Sequence, residues 1–256
     1  MLKKFFTRVM IAYSLSFIIH GHVHAEKKAV FIIGPPRCGS SCTAGLLEIL
    51  GLPLGDSLVG TNMQHPMNPK GFFEDIETQS ILDNMLAMMG TRALTPVLIE
   101  WDHHPQKTNF MHRIKNNLQK NFSMFSIFGI KNARLALFLP LYCEAAQELG
   151  YTPKIIIIKR HTEETCASWK KVWHRALTDN QIETSVNNYL KIIAFYAPQY
   201  DCLEVNFDDV IHDTRKIVTE FNNFLPELKS YESVENKIIS FIDKNLKHHN
   251  AHPTQK

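Results

Sequence analysis

The chain has 256 residues, 45% hydrophobic and 21% charged, a globular composition that excludes a wholly disordered chain, a collagen-like repeat and a multi-span membrane protein. Its formal charge of +3 sits in residues 1–25, where Lys3, Lys4 and Arg8 stand without an acid; the remainder balances 25 basic against 25 acidic side chains. The body therefore offers no charge argument for nucleic-acid binding.

In chain order, residues 1–25 read as a targeting segment. A basic flank precedes the short apolar stretch Val9 to Ile19, and Val23-His24-Ala25 forms a small-residue exit before Glu26. That is the pattern of a signal peptide. These eleven residues, interrupted by Ser14 and Ser16, fall short of the roughly 20 a membrane span needs; an uncleaved anchor extending from Phe5 is the alternative. The first reading implies export to a periplasm or beyond the cell, the second a membrane-anchored, lumen-facing protein. The rest, 26–256, reads as one domain.

Four β-like runs follow: Ala29 to Ile33, Phe125 to Ile130, Lys154 to Ile158 with four consecutive isoleucines, and Cys202 to Val205. Continuous apolar runs suit strands covered on both faces. Helical spacing is read between them over 41–50, 76–89, 135–149, 163–177, then from a cap at Asp179 to about Tyr196, and finally over 214–225 and 234–246. Residues 56–75 and 91–105 hold Gly, Pro and Asn and read as long irregular connections, which in compact domains are often functional. The alternation predicts a three-layer α/β fold with a central, mostly parallel sheet flanked by helices.

The most informative stretch is Gly34-Pro35-Pro36-Arg37-Cys38-Gly39-Ser40-Ser41. It follows a strand and opens a helix, the context in which a glycine-rich motif makes an anion site. Arg37 adds a bidentate donor for phosphate oxygens and the serines add hydroxyls. The spacing matches G-x-x-x-x-G-K-[ST] with Ser40 in place of the lysine that a nucleotide triphosphatase sets on its β/γ-phosphates. The plain alternative is a strand–helix turn with glycines.

These residues resemble the first loop of bacterial sulfotransferase-family proteins, G-x-x-R-S-G-T-S, whose donor is 3′-phosphoadenosine 5′-phosphosulfate (PAPS). The resemblance continues through Ala44 to Leu47, Asn68-Pro69-Lys70-Gly71-Phe72-Phe73-Glu74, Ile130 to Arg134, the Arg160/Ser168 spacing and Val205 to Val210. It covers about 28–225. Cys38, Asn132-Ala133 and His161-Thr162 depart from the family pattern.

The resemblance implies a P-loop fold and sulfuryl transfer from PAPS to a hydroxyl or amine of a carbohydrate, protein or small molecule. Pro36, Arg37, Cys38, Gly39, Ser40 and Ser41 would hold the 5′-phosphosulfate, and Arg160 and Ser168 the 3′-phosphate. Arg37 and Lys131 would neutralise developing charge, Glu74 would take the acceptor proton, and His65 is the second candidate for that base. A monoanionic sulfuryl group needs less neutralisation than a γ-phosphate, so no metal is expected. Glu74 also reads as an ordinary acid at a helix N-terminus.

Two other functions stay open: a divergent P-loop kinase or nucleotide hydrolase, with Asp208 or Asp209 on a metal, and a non-catalytic nucleotide-binding relic. Trp169 and Trp173 read as core packing, and so do Met85, Met88 and Met89. Five cysteines, Cys38, Cys42, Cys143, Cys166 and Cys202, lack a C-x-x-C pair. Neither His103-His104 nor His248-His249-x-x-His252 carries the partners of a metal site.

Overall fold

The computed structural model describes residues 26–59, 68 and 70–242. The leader, His65 and the histidines at 248–252 lie outside the described residues.

Four strands, β1 (Lys27–Ile33), β2 (Ile127–Lys131), β3 (Tyr151–Lys159) and β4 (Asp201–Asn206), form one parallel sheet in the order β2-β1-β3-β4. The apolar runs of β1, β2 and β3 belong to strands buried on both faces, with alternation assigning each residue to a side, whereas the edge strand β4 fully buries only Val205. Ala29, Phe31, Ile33, Phe128, Ile130, Ile155 and Ile157 enter one core, while Val30, Ile32, Ile156 and Ile158 enter the other. Each fully buried isoleucine of β3 contributes about 1.5–3 kcal/mol by leaving water.

Five helices cover the first face: α2 (Ile76–Met88), α3 (Lys107–Phe122), α4 (Leu135–Glu148), α5 (Thr162–Trp173) and α6 (Asp179–Tyr196). The other face carries α1 (Ser40–Ile49), α7 (Phe207–His212), α8 (Thr214–Phe224) and α9 (Tyr231–Phe241). The expected three-layer α/β arrangement is therefore present.

Several details differ from the sequence reading. Helix α3 falls where no element was expected: its Phe110, Met111, Ile114, Leu118 and Phe122 are buried, but eight polar or charged residues between them blunt the apolar signal. The cap of α6 is Thr178 rather than Asp179. Its side chain accepts from the Gln181 N–H while the Gln181 side chain accepts from the Thr178 N–H, a reciprocal capping box. Of the three methionines assigned to the core, Met85 is buried but Met88 is about half exposed, because it lies on the outer face of α2. The acidic turn after β4 is the short helix α7, capped by the Asn206 side chain. All five cysteines are free thiols.

In this strand order the crossovers from β1 to β2 and from β3 to β4 run in opposite directions. The carboxyl ends of β1 and β3 therefore flank a topological switch point, where open α/β sheets bind ligands. The loop after Ile33 and the turn after Lys159 both sit there.

Candidate functional site

The Gly34–Gly39 loop is shaped by contacts that exclude side chains. A Cβ on Gly34 would lie 2.5 Å from Cys38 Sγ and 2.9 Å from the Ile158 carbonyl oxygen, so the loop presses against β3. Gly39, the N-cap of α1, has φ 100°, and a Cβ there would sit 2.1 Å from the Phe207 ring. Arg37 also adopts positive φ, 69°, at a cost of about 1–2 kcal/mol for a residue with a Cβ. Three interactions hold the loop in this shape. Arg160 donates through Nη1 to the Arg37 carbonyl oxygen at 3.3 Å, Trp169 Nε1 donates to the Pro36 carbonyl oxygen, and the Cys38 N–H bonds to the Pro35 oxygen at 3.2 Å.

A cavity of about 620 Å³ opens over this loop. Arg37 and Arg160 both line it. Arg37 Nε donates to Ser168 Oγ at 3.2 Å, so Ser168, buried on the first turns of α5, bridges the loop to the turn after β3. Arg160 pairs with Glu164 at 2.8 Å, one helical turn on, with both side chains almost wholly buried, and lies 5.1 Å over the Phe207 ring. Burial, followed by repulsion from Arg160, lowers the pKa of the Arg37 guanidinium. Two like charges held so close favour an anion between them.

The opposite wall is built differently. Lys131, the last residue of β2, donates to Ser41 Oγ at 3.1 Å, to the Phe72 carbonyl oxygen at 3.1 Å and to Glu74 Oε1 at 2.6 Å. Glu74 Oε2 accepts from Asn132 Nδ2 at 3.0 Å, and Arg134 lies 3.9 Å from the same oxygen while pairing with Asp83 at 2.7 Å. The pair is 4% and 12% exposed. Glu74 is thus more than a first-turn acid: it precedes the N-cap Asp75, whose own side chain accepts from the Thr78 N–H.

Of the expected site residues, Pro36, Arg37, Gly39, Ser40, Ser41, Glu74, Lys131, Arg160 and Ser168 line the one cavity. The Cys38 side chain does not: it is 1% exposed and packs in the second core, which pushes its thiol pKa up. Asp208 and Asp209 are not among the lining residues; Asp209 pairs with Lys216 at 3.2 Å. Trp169 is buried as expected, but Trp173 reaches the cavity. Sequence reasoning missed Asn132 and Arg134 as partners of Glu74, and Phe241 and Lys70 as lining. The signal for Asn132 in the sequence is an amide directly after the Lys131 strand end, at a position that departs from the family pattern. Among the described residues no group of three or more His, Cys, Asp or Glu could hold a metal ion.

No protein-family model matches the chain, and no curated protein matches it. Solved structures do. Sulfotransferase STF9 from Mycobacterium avium is 12% identical over 94% of this chain and 73% of its own, with a TM-score of 0.51. The sulfotransferase domain of the Synechococcus PCC 7002 olefin synthase is 14% identical over 89% and 85%, at 0.46. A deoxyadenosine kinase from M. mycoides with bound dATP is 13% identical over 76% and 99%, at 0.44. The chain, a four-stranded parallel sheet between helical layers, therefore shares its fold with a bacterial sulfotransferase.

Proposed function

We propose that the protein is a PAPS-dependent sulfotransferase. The observation that carries this reading is the convergence of Arg37, Arg160 and Ser168 on one crevice beside the N-terminus of α1. A donor with a 5′-phosphosulfate and a separate 3′-phosphate presents two anionic groups, and this wall offers the loop amides, the serines and Arg37 for one and Arg160 with Ser168 for the other.

In the proposed reaction the acceptor oxygen or nitrogen forms a bond to sulfur as the bond from sulfur to the bridging phosphate oxygen breaks. The acceptor proton passes to Glu74, and the products are the sulfated acceptor and 3′,5′-bisphosphoadenosine. Negative charge grows on the bridging oxygen, where the loop amides and Arg37 stabilise it. Lys131 reaches both Ser41 and Glu74. Turning its ammonium toward the sulfuryl oxygens frees Glu74 Oε1 to act as base, which gives the buried pair a use in the reaction. The leader implies action outside the cytosol, so this reading includes a donor supplied to that compartment.

The test is a thermal-shift titration with 3′,5′-bisphosphoadenosine against ATP–Mg²⁺, followed by transfer of ³⁵S from labelled PAPS to an acceptor panel. Stabilisation by the bisphosphate alone together with label transfer is the expected result. Stabilisation by ATP–Mg²⁺ with phosphate release, abolished by EDTA, would replace this reading with a kinase or hydrolase. Bisphosphate binding without transfer to any acceptor would leave only a nucleotide-binding protein.

A further inference from the structure

The cavity is lined by residues of both cores, Phe207 and Ile211 from the second and Leu94, Trp173 and Tyr189 from the first. At the end formed by the first-core residues, Val172 and the polar Gln79 and Arg134 also line it. Asn132, which donates to Glu74 Oε2 at 3.0 Å, is followed by Ala133 and Arg134 in this lining, which puts this end next to the carboxylate proposed as base.

Most polar atoms of that wall are turned to other uses, although Gln79 Oε1 is buried without a hydrogen-bond partner. The Tyr189 hydroxyl donates to the Ala93 carbonyl oxygen at 2.8 Å, and Ser185 Oγ donates to the Leu94 carbonyl oxygen. One turn further along α6, Asn188 Nδ2 donates to the Pro96 carbonyl oxygen at 3.1 Å. Helix α6 thus straps segment 93–96 by its main chain, leaving the Leu94 side chain and the Tyr189 ring toward the cavity. Trp173 stands edge-on to the fixed Trp169 ring at 4.8 Å. Arg134 is engaged by Asp83 and Asn132. The strap continues into Val97 and Leu98, each about half exposed, an apolar lip in sequence next to the wall.

We infer that this end of the cavity takes a compact alcohol or phenol with an apolar body, its hydroxyl directed at Glu74. The inference rests on the sulfotransferase reading for the reaction, but not for the binding of the apolar compound. A polyhydroxylated sugar would leave its hydroxyls unpaired against Leu94, Val172 and the rings, and unpaired buried polar groups discriminate strongly.

The experiment measures binding of 2-naphthol, 1-octanol and N-acetylglucosamine to the full chain by calorimetry, with and without 3′,5′-bisphosphoadenosine, and then ³⁵S transfer from labelled PAPS to each. Binding of 2-naphthol or 1-octanol, with kcat/KM at least ~10-fold above that for the sugar, is the expected result. Leu94→Glu should lower that kcat/KM by a further ~10-fold or more while bisphosphoadenosine affinity stays unchanged. Trp173→Ala, should Leu94→Glu fail to fold, should raise KM for the apolar acceptor with the same unchanged nucleotide affinity. Sulfation of the sugar in preference to both apolar compounds, or no binding of either one, overturns the inference. Binding of 2-naphthol by a chain that does not bind the bisphosphate sustains the apolar site and refutes the donor reading instead.

Discussion

The two charged walls of the cavity solve opposite electrostatic problems. On one, burial and then repulsion from Arg160 lower the pKa of Arg37, while Arg160 also pairs with Glu164 at 2.8 Å. On the other, Lys131 and Glu74 satisfy each other at 2.6 Å, with Asn132 on the remaining carboxylate oxygen. Both walls are buried, so both charge sets are costly to desolvate. The lysine wall is closed by its own pair; the arginine wall, two guanidiniums beside the Glu164 carboxylate, stays net positive and gains most when an anion arrives. On the proposed reading, donor binding belongs to the first wall and rearrangement during reaction to the second.

The largest expected effect comes from breaking the satisfied pair. Lys131→Met or Glu74→Leu alone should cost about 3–5 kcal/mol of stability, because each leaves a buried charge without its partner. The double variant should recover most of that loss, measured by urea denaturation. Equal and additive losses would show that the pair is not coupled and would remove the contrast between the walls. Next, Arg37→Ala should lower kcat for sulfuryl transfer by about 10²–10³. Normal turnover in that variant would refute the role given to the arginine wall.

Arg37→Gly sharpens the same point. It removes the same guanidinium but suits φ 69°, so it should be about 1–2 kcal/mol more stable than Arg37→Ala while equally inactive. A smaller effect concerns Cys42, which lines the cavity and whose thiol is pushed by burial from 9.0 up to about 11. With the folded-state value raised, its contribution to stability is complete below pH 9 and is lost as pH rises toward about 11. Alkylation by iodoacetamide should accordingly be slow at pH 8 and slower still with 3′,5′-bisphosphoadenosine bound. Rapid labelling at pH 8 would mean that this side of the cavity is open to water.

Local pattern carries the physics of β3 and of the loop after β1: four isoleucines mark a strand covered on both faces, and Gly34 and Gly39 mark a tight turn. Tertiary contacts decide the rest. Helix α3 buries only a narrow stripe of a polar sequence, and Cys38, in the middle of the loop, turns inward because Gly34 brings the loop hard against β3. Nothing near Glu74 in the sequence indicates that Lys131, in a distant strand, would reach it.

The chain's order of residues alone determined a parallel α/β sheet, the position of the glycine loop at its first strand end and the residue types able to grip an anion, because backbone periodicity and glycine conformation are local properties. Only the tertiary structure decided that Arg37, Arg160 and Ser168 share one crevice, that Lys131 is locked to Glu74 and that helix α6 turns the polar groups of segment 93–96 away from the cavity. Those outcomes depend on strand order and on burial between residues far apart in sequence, which fix dielectric and distance together.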